Sequence, residues 1–162
     1  MIQDFILWTQ AFVKAYGILG TFIIAFLESF VFPVPTATII APVTALGMDP
    51  FPIMIVATIG SVLGAFVGYG LGMYFGRPLA ERLFKKHLPK VELWFEKYGA
   101  WAVFIAAFSP IPFKVFTWGA GITRLKKRHF TLASVVGRTL QFAIAAYAGS
   151  LIGPWILPLF GV

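Results

Sequence analysis

The chain consists largely of long apolar runs separated by short polar segments. The longest run, residues 50–76, contains no charged residue and exceeds the roughly 20 residues that cross the hydrocarbon core of a bilayer. A second run, residues 130–153, carries a single charge, at Arg138. The core of a soluble helical protein is the alternative, but so long an apolar run is hard to bury in a small soluble domain. The pattern therefore predicts transmembrane helices over 52–76 and 130–153.

Two further apolar segments, 16–47 and 98–123, are each interrupted by a Pro-x-Pro sequence. The four prolines are Pro33, Pro35, Pro110 and Pro112. As one continuous helix, the first segment would be about 48 Å long, which is too long for one upright crossing. The pieces on either side of the prolines are too short to cross alone. Each segment therefore predicts a re-entrant helical hairpin, which enters and leaves the membrane on one face.

The two halves of the chain are related by a weak internal repeat. A shift of 77 positions (110 minus 33) superposes the prolines, and a shift of 82 (98 minus 16) superposes Tyr16-Gly17 on Tyr98-Gly99. Proline-broken segments in matching halves are typical of transporters with a binding site near the bilayer midplane. We expect one all-α membrane domain over 1–162, an inverted repeat in which a transmembrane helix follows each hairpin. Repeat one covers about 16–76 and repeat two about 98–153.

Charge is concentrated in two short segments. The net charge is +7, and ten of the 13 Lys and Arg residues lie in 77–97 (six) and 124–129 (four). If both broken segments crossed fully, these two basic segments would lie on opposite faces. If both are re-entrant, both segments are cytoplasmic, as the positive-inside rule requires. The basic balance thus indicates an anionic membrane surface as partner, and no nucleic acid. Segments 77–97 and 5–13 also suit interfacial amphipathic helices, the former broken at Pro89.

The composition excludes several kinds of site. The chain has no cysteine, which excludes disulfides and thiolate chemistry. His87 and His129 fall in the basic segments, too far from Glu28 in this topology to form a metal site with it. No pairing of nucleophile and base stands out. We therefore expect no metal, no cofactor and no enzymatic activity.

Small residues recur every fourth position in the first predicted transmembrane helix. They are Gly60, Gly64, Gly68, Gly72 and Gly76. Small residues at this spacing allow close approach of helix backbones in lipid. The series predicts helix packing within the monomer, with a homodimer face or a substrate groove as alternatives.

Three ionisable residues, Glu28, Lys114 and Arg138, interrupt the apolar segments, and charge at such depth indicates function by default. Pro35 and Pro112 suit the first turn of a helix, so each would begin a half-helix whose positive end points into the membrane. These ends would form an anion site whose predicted binding residues are Lys114, Arg138, Thr36 and Thr117. Glu28 could neutralise a cation in the empty site or, if desolvated, exchange a proton. Alternatively, Glu28 pairs structurally with Lys114 or Arg138, or Arg138 snorkels to the cytoplasmic face.

These residues resemble the DedA family, also called the VTT or SNARE-associated Golgi protein family, and its YqaA-like branch in particular. The matching residues are Glu28, Pro33-x-Pro35, Tyr74-Phe75-Gly76-Arg77, Ser109-Pro110-Ile111-Pro112-Phe113-Lys114, Ala120-Gly121 and Gly137-Arg138. The resemblance implies opposed re-entrant hairpins and transport of undecaprenyl phosphate or phospholipids. Some members of the family are also linked to the proton-motive force. Glu28, Lys114 and Arg138 are the site residues that it carries over. Better-known members have a second acid after the first hairpin's proline, where this chain has Thr36-Ala37.

Three functions are compatible with this sequence. The first is a translocase or scramblase that moves a lipid with an anionic phosphate head group across the bacterial inner membrane. The second is a proton-coupled transporter of small solutes that uses Glu28. The third is a structural membrane-homeostasis factor without transport.

Overall fold

The computed structural model describes the backbone of residues 2–31 and 35–156, and their side chains except for 2–10, 12–14 and 84. Pro33 lies outside the described residues. The described chain is all-α, as predicted, and contains seven helices. They are α1 (Ile2–Glu28), α2 (Ala37–Ala45), α3 (Pro50–Phe84), α4 (Leu88–Tyr98), α5 (Ala100–Phe108), α6 (Phe113–Ile122) and α7 (Lys127–Ile156).

Two of these helices are long and apolar enough to cross a membrane. They are Pro50–Leu83 of α3 and Lys127–Trp155 of α7, and they contain the two predicted crossings. Helix α3 begins sharply because the Asp49 carboxylate accepts the Phe51 N–H at 2.9 Å, which caps the first turn. The two helices pack against each other.

Pro35 lies between α1 and α2, the first hairpin, and Pro110 and Pro112 lie between α5 and α6, the second hairpin. Pro112 is the N-cap of α6, and Pro35 precedes Thr36, the N-cap of α2. Both prolines were predicted in the first turn of a helix, and both instead stand just before that turn. No helix N–H is lost in either position. Helices α2, α5 and α6 have 9, 9 and 10 residues, or about 15 Å each, half the thickness of a hydrocarbon core.

Helices α1 and α6, one from each hairpin, pack on the glycine series of α3. A Cβ at Gly60 would lie 2.6 Å from the Phe22 carbonyl oxygen, and one at Gly64 would overlap the Phe26 carbonyl, both in α1. A Cβ at Gly68 or Gly72 would instead overlap Thr117 or Trp118 of α6. Helices α1 and α6 therefore lie end to end along α3, and both run parallel to it.

The other helix of each hairpin, α2 or α5, packs on glycines of α7 in the same way. Gly137 faces Ala107 of α5, whereas Gly149 and Gly153 face Ala41 and Ala45 of α2. The hairpin α1–α2 thus lies at one end of the α3–α7 pair, and the hairpin α5–α6 at the other end. The chain segments 77–97 and 124–129 both adjoin the second hairpin.

Gly76 was predicted to continue the packing series, and this prediction is wrong. Its φ is +64°, and a Cβ there would meet only Pro78, at 3.9 Å. Gly76 instead lets α3 bend between its apolar part and its basic end, because this backbone conformation is open mainly to glycine.

Candidate functional site

The second hairpin contacts the backbone carbonyl groups of the three residues that follow α1. The Thr117 hydroxyl donates to the Ser29 carbonyl oxygen at 3.2 Å, and the Trp118 indole N–H donates to that of Phe30 at 3.3 Å. The Lys114 ammonium lies 3.5 Å from the Val31 carbonyl oxygen. Backbone carbonyls in such a turn need partners when they are covered by protein, so these contacts satisfy the turn and join the two hairpins where α1 ends.

A buried ion pair lies beside this junction. Nη2 of Arg138 in α7 donates to both carboxylate oxygens of Glu28 in α1, at 2.9 Å each. The side chains of Arg138 and Glu28 are 3% and 10% exposed. The pair connects α1 of the first hairpin to α7, 110 residues away in sequence.

Neighbouring groups fix both partners of the ion pair. The Thr36 hydroxyl donates to the Glu28 carboxylate at 3.1 Å, and Nη1 of Arg138 donates to the Gln141 side-chain oxygen at 2.7 Å. The guanidinium also stands over the rings of Phe113 and Phe142, with distances to the ring centroids of 4.2 and 5.2 Å. Cation–π contacts of this kind strengthen when they are desolvated. Each charge is therefore held in one orientation.

The ion pair lines a small cavity of about 80 Å³. The cavity wall consists of Glu28, Pro35, Lys114, Arg138, Gln141 and residues 109–113. Its volume is enough for a few water molecules or one small polar group. Two basic residues and one acid give the wall a formal charge of +1. Helix α6 begins at this wall, and Pro35, just before α2, also contributes to it.

The structure separates the four predicted binding residues into two groups. Lys114 is half-buried and lines the cavity together with Arg138. Thr36 and Thr117 are buried and donate to Glu28 and to backbone carbonyls, and neither lines the cavity. Of the alternatives for Glu28, the structure forms the ion pair with Arg138. Arg138 is 2% exposed and does not snorkel.

One polar residue of this site, Gln141, was not predicted as a member. Gln141 accepts from Arg138 and donates from Nε2 to the Ser109 carbonyl oxygen at 3.2 Å, so it joins α7 to the turn of the second hairpin. A signal was available, because Gln141 is a polar residue three positions after a charge in an apolar helix. Within the described residues, no cluster of His, Asp or Glu could hold a metal ion.

Several known proteins resemble this chain in sequence. A family model for the VTT domain matches residues 32–151. Uncharacterized protein MJ0201 of Methanocaldococcus jannaschii is 31% identical over 90% of this chain and 88% of its own length. Undecaprenyl phosphate transporter A of Staphylococcus aureus is 29% identical over 80% of this chain and 70% of its own. Protein DedA of Escherichia coli is 29% identical over 62% of this chain and 48% of its own.

No solved structure gives a significant match to the chain. The resemblance noted from the sequence motifs is confirmed by the family model, while the YqaA-like branch stays a prediction. A relative that is named a transporter agrees with the expectation of a non-enzymatic function. With a VTT-domain match over most of its length and two long apolar helices, the chain is a membrane protein that belongs to the DedA/VTT family.

Proposed function

We propose that this protein moves a lipid with an anionic phosphate head group across the bacterial inner membrane. The observation that carries the proposal is the charge of the 80 Å³ cavity beside the ion pair, called the central cavity from here on. Among the described residues, its wall holds two basic residues, Lys114 and Arg138, and one acidic residue, Glu28. A charge at membrane depth is costly and is kept where it binds a ligand or a partner. The wall as a whole has a formal charge of +1, which an anionic head group would complement.

The arrangement of the hairpins supports re-entry from opposite faces. Helices α2, α5 and α6 are each about half as long as the membrane core is thick. Helices α1 and α6 lie end to end along α3, and α5 and α2 lie end to end along α7. A re-entrant arrangement places both turns near mid-depth, where backbone outside regular helix must be covered by protein. The contacts of Thr117 and Trp118 to the end of α1 supply that cover.

The basic segments support an orientation. Segments 77–97 and 124–129 adjoin the same end of the α3–α7 pair, so one face of the membrane receives ten of the 13 basic residues. The positive-inside rule makes that face cytoplasmic. The first hairpin then opens outward and the second opens to the cytoplasm.

In this account the ion pair is the resting state of the site. A phosphate that enters the cavity competes with Glu28 for the Arg138 guanidinium, which binds phosphate and carboxylate with similar geometry. Lys114 adds a second charge-assisted contact. Gln141 holds the guanidinium in place during the exchange, and the lipid tail stays in the bilayer because the cavity is far too small for it.

The relative named undecaprenyl phosphate transporter A supports a phosphate-bearing lipid as the substrate class. The proton-coupled solute transporter and the structural factor remain the two alternatives. They differ from lipid transport in what they require of Glu28 and Lys114. The same reconstituted vesicles can distinguish all three.

The test is the rate at which a labelled lipid crosses the membrane of vesicles containing the purified protein. A fluorescent polyprenyl monophosphate is compared with fluorescent phosphatidylcholine, using wild type, Lys114→Ala and the control Lys126→Ala. Lys126 is an exposed basic residue between α6 and α7, away from the cavity. We expect Lys114→Ala to slow the monophosphate lipid about tenfold or more, the effect of losing one charge-assisted hydrogen bond.

Equal rates for the wild type, Lys114→Ala and Lys126→Ala would exclude this cavity as the lipid site. Transport of a small anion, driven by a pH gradient and abolished in Glu28→Gln, would favour the solute transporter. Vesicles that move neither lipid nor solute would favour the structural factor.

A further inference from the structure

A second, larger cavity lies between α4 and the second hairpin. Its volume is about 250 Å³, close to the lower limit for ligand pockets. Helix α4 is held there by packing on α6, since a Cβ at Gly119 would lie 2.8 Å from both Val91 and Phe95. The Trp94 and Phe116 rings also meet at 5.7 Å in an edge-to-face arrangement. The cavity is therefore part of the fold.

The lining of this cavity is divided by polarity. Val91 and Trp94 of α4, with Val115 and Phe116 of α6, form an apolar wall, whereas His87 and Lys90 stand at the polar end. None of the described residues that line it is acidic. Glu92, the nearest acid along α4, instead pairs with Arg77 at 3.2 Å. A cationic end joined to an apolar aromatic wall complements an amphiphile with an anionic head and a hydrocarbon chain.

The second cavity adjoins the central one. Ile111 and Pro112, in the turn of the second hairpin, line both cavities. The turn is thus the partition between Lys90 on one side and Lys114 with Arg138 on the other. A head group bound at Lys90 would lie on the other side of that turn from the central cavity.

We propose that the cavity between α4 and the second hairpin is a loading site for an anionic lipid on the basic face of the protein. The Lys90 ammonium and the His87 imidazole bind the phosphate, and the first part of the chain lies against Trp94 and Phe116. The remainder of the lipid stays in the bilayer, because the cavity holds only part of one. The inference rests on the proposed function, in which the lipid bound at this site is the lipid that is then transported.

Quenching of Trp94 fluorescence by brominated lipids tests this site. Protein in vesicles is mixed with brominated phosphatidic acid or brominated phosphatidylcholine, and the Trp94 signal is taken as wild type minus Trp94→Phe. We expect phosphatidic acid to quench Trp94 at a lower mole fraction than phosphatidylcholine. Lys90→Glu should reduce that preference about fivefold or more, the factor that one basic residue contributes at an anionic surface.

Lys97→Glu is the matched control, since Lys97 lies on the same helix but outside the cavity lining. It should keep the preference. Equal quenching by the two lipids, or equal losses in Lys90→Glu and Lys97→Glu, would overturn the proposal. The second result would mean attraction to the basic surface in general. Lys90 is exposed, so both variants should unfold at the wild-type temperature.

The loading site and the transport function can fail separately. Lys114→Ala should lose transport and keep the Trp94 preference, since Lys114 does not line the larger cavity. Transport that persists in Lys90→Glu at the wild-type rate, at limiting lipid, would overturn the loading role. Lipid preference at Trp94 without any transport would overturn the proposed function and leave the binding site.

Discussion

The ion pair between Glu28 and Arg138 should contribute a large coupling free energy to folding. Glu28→Ala removes the acceptor of both 2.9 Å contacts and leaves the guanidinium charge in a site where its side chain is 3% exposed. Removing one partner of a buried pair costs about 3–5 kcal/mol, whereas replacing both by uncharged groups costs far less. Arg138→Met, which keeps most of the side-chain volume, leaves the carboxylate unpaired in the same way.

The double-mutant cycle isolates this interaction. We expect each single variant to lower the free energy of unfolding by about 3 kcal/mol or more. The double variant should lose much less than the sum, with a coupling of at least about 2 kcal/mol, or roughly thirtyfold in the unfolding equilibrium. The assay is unfolding by sodium dodecyl sulfate in mixed micelles, followed by circular dichroism. Glu92→Ala is the control, because its salt bridge to Arg77 is at the surface and should contribute less than about 1 kcal/mol. Losses that simply add, within about 0.5 kcal/mol, would refute the reasoning that the two charges stabilise each other.

Two further predictions concern backbone positions. Gly64→Ala should destabilise the protein by about 1–3 kcal/mol, the usual cost of overpacking, because the new methyl group overlaps the Phe26 backbone. Gly70→Ala on the same helix has nothing within 4 Å and should be neutral or stabilising in the same unfolding assay; equal losses would contradict the predicted packing. Gly99→Ala should cost about 1–2 kcal/mol, because Gly99 has φ +53° and side chains disfavour that region. An unchanged unfolding midpoint for Gly99→Ala would show that this conformation is not required.

Much of the fold could be predicted because the length of an apolar run and the position of a proline both constrain the local conformation of the chain. The two long helices and the places where the hairpins turn follow from how many residues span a bilayer and where a backbone N–H is missing. The predicted repeat pairs Gly17 with Gly99. The paired Gly17 and Gly99 share nearly the same backbone conformation, φ/ψ 56°/−127° and 53°/−126°.

Gly76 shows where periodicity fails. It continues the four-residue spacing, but the helix bends there, and sequence does not distinguish a glycine that admits a neighbour from one that turns the chain. Pro89 shows a related ambiguity: the predicted break lies just before it, since α4 begins at Leu88 with Pro89 in its first turn.

The site was harder to predict than the fold, since its contacts depend on packing between distant segments. Sequence left open whether Glu28 meets Lys114 or Arg138, and the choice depends on how α1 lies against α7, 110 residues later. Thr117 was expected at the anion site because its hydroxyl lies near the turn at Pro112. The Thr117 hydroxyl instead donates to the Ser29 carbonyl oxygen, because α6 packs against the end of α1, and that contact between distant segments is not visible in the sequence.

The central claim is that neither proline-broken segment traverses the membrane. Because the chain has no native cysteine, single cysteines at the exposed positions Lys86, Lys126 and Leu46 can be labelled with an impermeant maleimide in oriented vesicles. Lys86→Cys and Lys126→Cys should react from the same side of the membrane, and Leu46→Cys from the opposite side. Labelling of Lys86→Cys and Lys126→Cys from opposite sides would mean that the second broken segment crosses, and would contradict the account.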